Sequence, residues 1–214
     1  MKISYGITVH NEADELNKLL EMLLTRIDEE DEIVICVDGD DKDIQSIIER
    51  HEQHKQIIAY KRKLDGNFSD QKNSVIEKST GDYIFHIDAD EYPHETLLEQ
   101  LKQIIEMNDG VDLIWIPRVN TVEGMTQEDI EKWRWRVTEN NWVNYPDYQS
   151  RVFRRDKSIR WKRPLHELID GCKTYAHLPP HEELSLYHPK TMKKQEQQNL
   201  FYNQNFSKEM NHRN

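Results

Sequence analysis

The chain has 214 residues, 36% of them hydrophobic and 32% charged, with a mean hydropathy of −0.92. That length is ample for one core, but so polar a composition confines the core to a few well-patterned segments. The net charge of −11 argues against a nucleic-acid-binding surface, because sequence-independent affinity for phosphate backbones comes from concentrated Lys and Arg.

The apolar runs are too short to span a bilayer, and "MKISYGITVHNEADEL" lacks the apolar centre of a signal peptide, so a cytoplasmic protein with no transmembrane segment is expected. Cys36 and Cys172 form neither a disulfide framework nor a metal-ligand pattern.

In chain order, "KISYGITV" reads as a strand. "NEADELNKLLEMLLTRI" follows as a helix, with Leu16, Leu19, Leu20, Leu23, Leu24 and Ile27 on one stripe and Asn11 at the N-cap position. "EIVICVD" is a strand covered on both faces, "DIQSIIERH" a short helix and "QIIAYKR" a third strand. "SDQKNSVIEKSTG" is a helix ending at Gly81, "DYIFHID" a fourth strand, "HETLLEQLKQIIEM" an amphipathic helix and "DLIWIP" a closing strand.

This alternation predicts an α/β fold with a mostly parallel sheet flanked by helices over residues 1–117. Residues 118–188 are less regular. They hold one short helix near "TQEDIEKWRW", and short strands at "SRVFRR", "SIRWKR", "PLHELI" and "ELSLYH" that suggest a smaller antiparallel region. Residues 189–214 form a polar tail with helical potential.

Ligands of such sheets bind beyond the C-terminal ends of the strands, and that is where this chain concentrates its charge: "VHNE", "VDGDDKD", "KRKLDGN" and "DADE". If the strand continues through Ala89, Asp88 and Asp90 share a face. Two carboxylates held together call for a cation, and hard oxygen ligands suit Mg²⁺ or Mn²⁺ carrying a substrate phosphate. An isolated D-x-D is more often a solvated turn. Its position at the end of an apolar strand, with a second acidic cluster of Asp38, Asp40, Asp41 and Asp43 ending another, favours the metal.

"ITVHNEADELNKLL", "EIVICVDGDDKDIQSII" and "NSVIEKSTGDYIFHIDADE", in this order, resemble the nucleotide-diphosphosugar transferases of family-2 glycosyltransferase type, which have the Rossmann-like GT-A fold. The resemblance is nearest the lipopolysaccharide-core-type branch with "DADE" and a later His-Glu pair, and extends more weakly through "YPDYQSRVFRR" and "RPLHELI".

It implies a metal-dependent, inverting glycosyltransferase of hexosyltransferase type, with a nucleotide-diphosphate sugar, typically UDP-linked, as donor. The acceptor would be a glycan, lipid-linked saccharide, protein or small molecule. Thr8, His10 and Glu12 match the loop bordering the nucleotide, Asp38 the base-reading acid and Asp43 a second acidic position; Gly39, Asp40 and Asp41 replace the usual Asp-Gly-Ser character there. Lys72 matches a residue facing the donor, and Asn73 a frequently shared Asn. Asp88 and Asp90 match the Mn²⁺ or Mg²⁺ site bridging to the diphosphate, with His188 as a third ligand. Glu167 resembles the catalytic base, with His166 beside it.

Other readings of the residues remain open. A degenerate nucleotide- or sugar-binding module fits the altered Asp-rich block. A sugar-phosphate nucleotidyltransferase would have a Gly-rich loop after the first strand, which "ITVHNEADE" lacks. Arg151 and Arg154 suit a diphosphate or an exposed strand edge equally, and Trp133, Trp135 and Trp142 suit sugar stacking or local packing.

Overall fold

The computed structural model describes residues 1–206. The first half alternates as its pattern predicts: β1 (Ile3–Val9), α1 (Ala13–Leu24), β2 (Glu32–Val37), α2 (Lys42–Arg50), β3 (Ile57–Lys61), α3 (Phe68–Lys78), β4 (Tyr83–Asp88), β5 (Tyr92–Pro93), α4 (Glu95–Met107) and β6 (Leu113–Ile116). The second half adds β7 (Arg118–Glu123), α5 (Gln127–Trp133), β8 (Gln149–Arg154), β9 (Arg160–Lys162), β10 (Leu168–Asp170), β11 (Tyr175–His177), β12 (Leu186–Thr191) and α6 (Met192–Asn205).

The large sheet has the order β11-β6-β8-β4-β1-β2-β3 and is parallel except for β8, which opposes both its neighbours. A small sheet, β5-β12-β7, and the antiparallel pair β9 and β10 complete the expected α/β architecture. β8 and β11 thus carry the second half of the chain into the sheet built by the first. Among the described residues no helix is long and apolar enough to cross a membrane.

Strand alternation sorts the two faces. Tyr83, Phe85 and Ile87 of β4 join the large core with α1 and α4, whereas Ile84 turns the other way, into a second cluster with Ile76 and Trp161. His86 follows Ile84 onto that face, wholly buried against the Trp161 ring, and Asp88 comes next on the same side. The helix covering this face is α3, which lies on β1, β2 and β9. Its buried residues include Ser69, Gln71, Lys72 and Ser74, so a polar helix is pressed onto the sheet with its polar groups inward. Such burial needs partners, and the charges at the strand ends supply them.

The sequence pattern is corrected at three points. β4 stops at Asp88, because Glu91 N–H returns to the Asp88 carbonyl at 2.8 Å and Ala89–Asp90 turn away; Asp88 and Asp90 therefore do not share a strand face. The N-cap of α1 is Glu12 rather than Asn11. In "PLHELI" only Leu168–Asp170 is strand, and His166 and Glu167 stand in the preceding turn. The polar tail of 189–214 begins inside β12 and continues as α6; residues 207–214 lie outside the described residues.

Gly6 of β1 sets how closely α3 approaches the sheet: a Cβ there would stand 2.6 Å from Val75 Cγ1. Gly6→Ala is expected to cost about 1–3 kcal/mol through overpacking, read as a lower urea midpoint.

Candidate active site

The site is assembled on α3, the end of β4 and the turn before β10. Lys72 Nζ lies 2.9 Å from Glu167 Oε1 and 3.3 Å from Asp88 Oδ1, above the Trp161 ring at 4.7 Å. Its side chain is only 9% exposed, and that of Glu167 is 14%. Burial alone would lower the Lys72 ammonium, but the Asp88 and Glu167 carboxylates outweigh it and keep the group raised and charged. Asn73 makes a reciprocal pair with the Trp161 backbone, 2.9 Å in each direction, which ties α3 to β9.

Asp88 has a second cation. Arg151 is the residue left out of register between Val152 and Ser150 where β8 pairs with β6, and its guanidinium donates to Asp88 Oδ2 at 2.5 Å and to Glu91 Oε1 at 2.7 Å. Arg118 also donates to Glu91 Oε1, at 2.6 Å, and reaches Asp147 at 2.6 Å. Burial alone would raise the Asp88 and Glu91 carboxyls; Arg151 leads the opposing effects and holds both below the usual carboxylate range. Glu91 is 1% exposed and is committed to this ladder, while Asp88 keeps 31% of its side chain open. Thr8 Oγ1 stands 3.4 Å from Asp88 Oδ1.

Asp90 belongs to a different group. Its Oδ2 lies 3.4 Å from His188 Nε2 and 3.3 Å from Lys194 Nζ. Asn120 Nδ2 donates to Asp147 at 2.9 Å, which turns Asn120 Oδ1 toward His188 Nδ1 at 3.0 Å. The other ring nitrogen, Nε2, faces the Asp90 carboxylate; burial lowers the pKa of His188, and Asp90 opposes that shift. This pair fits a hard divalent ion, with the other imidazole nitrogen fixed as in metal-ligating histidines. Asp88, expected beside Asp90 as a metal ligand, has its two carboxylate oxygens paired with Lys72 and Arg151. Among the described residues no group of three or more His, Cys, Asp or Glu side chains converges on one point.

A sequence profile of the family described as Glycosyl transferase family 2 matches residues 4–177. The chain belongs to this family. It is 32% identical over 108 residues to an uncharacterized glycosyltransferase of Rickettsia bellii, covering 50% of this chain and 16% of that protein. It is 32% identical over 98 residues to a poly(ribitol-phosphate) beta-glucosyltransferase of Bacillus spizizenii, covering 43% and 15%. The chain therefore spans a small part of these relatives' length. Among solved structures, S. aureus TarS 1-349 in complex with UDP-GlcNAc superposes with a TM-score of 0.65 at 17% identity, over 89% of this chain and 59% of that one, a likeness of fold.

In this glycosyl transferase family 2 chain, the structure brings Thr8, Lys72, Asp88 and Glu167 together, and Asp90 with His188. At the neighbouring strand ends, Asp38 accepts from Leu64 N–H at 2.9 Å and lies 3.0 Å from His10 Nδ1. Glu12 accepts from the backbone N–H of His10 and Asn11, 3.0 Å each, and so shapes the loop after β1. Asp43 is not drawn in: it is exposed in the first turn of α2, where Asp41 caps its N–H, and Asp40 pairs with Lys61. Trp133 and Trp135 stack on each other, with ring centroids 6.0 Å apart. Arg154 pairs with Asp112 at 3.6 Å.

Sequence reasoning missed Arg118, Asn120, Asp147 and Lys194. Arg118 and Asn120 follow the "DLIWIP" strand, so the strand-end rule that found "DADE" could have found them. Lys194 lies in a tail without apolar period, where no such rule applies.

Removing the Arg151 guanidinium leaves Glu91 buried with one cation instead of two. Arg151→Met is expected to cost about 3–5 kcal/mol at pH 7 by chemical denaturation. Because Asp88 and Glu91 titrate low when paired, Arg151 stabilises fully above the ordinary carboxylate range and less as acid protonates them. The deficit is therefore expected to shrink below about pH 4.

Proposed function

We propose that this chain transfers a sugar, with inversion, from a nucleotide-diphosphate sugar to a hydroxyl of a glycan-type acceptor. The observation that carries this reading is Lys72: one buried ammonium touches both Asp88, at the strand end where ligands of this sheet bind, and Glu167, far away in sequence. A carboxylate fixed at the ligand edge, still partly open to solvent, suits a general base.

Glu167 takes the acceptor proton as the acceptor oxygen forms its bond to C1 of the donor sugar. The bond from C1 to the phosphate oxygen breaks on the opposite face, and the diphosphate leaves with its electron pair. Lys72 holds the base in place, and Asp88 is fixed by Lys72 and Arg151 at the donor's side. Asp38, in the loop after β2, would accept from a base N–H, which suits uracil and hence a UDP-linked donor. TarS, which shares the fold, binds UDP-GlcNAc in its crystal. Asp90 and His188 would hold Mn²⁺ or Mg²⁺, which when bound supplies charge stabilisation of a leaving diphosphate.

Calorimetry with UDP and Mn²⁺ is expected to show binding that Asp90→Asn strongly weakens. Glu167→Gln is expected to retain that binding while release of free UDP from the donor falls by about 10²- to 10⁴-fold. Undiminished release in Glu167→Gln would overturn the assignment of the base.

A further inference from the structure

α6 returns the end of the described chain to the ligand edge of the sheet. Thr191 is at once the last residue of β12 and the N-cap of α6, where its hydroxyl accepts from Lys194 N–H at 3.2 Å. His188 and Lys194 are thus carried on one uninterrupted piece of chain, and both meet the same atom, Asp90 Oδ2, at 3.4 and 3.3 Å. The second partner of Lys194 is Glu15 of α1, at 3.5 Å. An open cleft of about 360 Å³ begins here, with Asn11, Glu12 and Glu15 on one wall and Thr191, Lys193 and Lys194 on the other.

Asp90 Oδ2 cannot serve an ammonium and a divalent ion equally, because two cations on one oxygen repel each other. The Lys194 side chain is a third exposed, on a flexible four-carbon stem, so its charge can change partners without moving the helix. Of the cleft's other charges, Lys193 attracts an anionic donor, while Glu12 and Glu15 repel it.

We propose that Lys194 is a second diphosphate-binding residue that alternates between two partners. In the empty site its ammonium neutralises Asp90. In the loaded site it moves to the phosphate oxygens and stabilises the negative charge gained as the bond to C1 breaks. This rests on the reading of Asp90 and His188 as the cation site and of the ligand as a nucleoside diphosphate. It makes Lys194 a competitor of the bare metal ion and a helper of the diphosphate, so its loss acts on the two ligands with opposite sign. A residue that merely secured α6 would shift both in the same direction.

The test uses the full chain at low ionic strength, with calorimetric titration of Mn²⁺ alone and then of UDP at saturating Mn²⁺. Lys194→Met is expected to tighten Mn²⁺ several-fold and to weaken UDP on the order of tenfold. Lys194→Arg should bring both back toward wild type, and Lys157→Met, which removes an exposed charge elsewhere, should change neither. Unchanged UDP affinity in Lys194→Met, or Mn²⁺ and UDP weakened together, would overturn the proposal. A wild-type chain that binds neither ligand would instead overturn the donor-site reading beneath it.

Discussion

A buried ammonium between two carboxylates organises this molecule. Lys72 stands in a polar face of α3 pressed onto a β-sheet, and that placement is tolerable only because Asp88 and Glu167 meet it there. Breaking a buried pair by removing one partner typically costs about 3–5 kcal/mol, so each member fixes the position of the others. The strand end, the helix and the turn before β10 are tied together by charge where apolar contact is sparse.

The same economy runs outward from Asp88. Arg151, Glu91, Arg118 and Asp147 alternate in sign, and through Asn120 the sequence of contacts reaches His188 and Asp90. β8 has to lie between β4 and β6 for this to happen, since it brings Arg151 beside Asp88. The antiparallel strand that interrupts an otherwise parallel sheet is thus the element that joins the two halves of the chain at the site. The two aspartates of the acidic motif keep different company: Asp88 meets Lys72 and Arg151, and Asp90 meets His188 and Lys194.

Much of this was legible before any coordinates. Apolar periodicity located α1, α4, β1, β2 and β4, because each buries a full stripe or face. The rule that ligands gather at strand ends pointed to Asp88, Asp90 and Asp38. The division of labour between Asp88 and Asp90 was not legible, because it depends on a turn at Ala89 that strand alternation alone does not foresee. Partners of opposite charge from distant segments, such as Arg118 for Glu91 and Lys194 for Asp90, leave no local signature. The acidic run after β2 is divided by local structure: the helix start uses Asp41 as its cap and turns Asp43 to solvent.

The central claim is that Lys72 acts through Glu167 as one unit with it. A double-mutant cycle on donor turnover, with Lys72→Met, Glu167→Gln and the pair, measures this directly. If the lysine steers the base, the double variant should lose scarcely more activity than Glu167→Gln alone, a strong departure from additivity. Losses that simply multiply would show that Lys72 and Glu167 act independently, and would contradict the account.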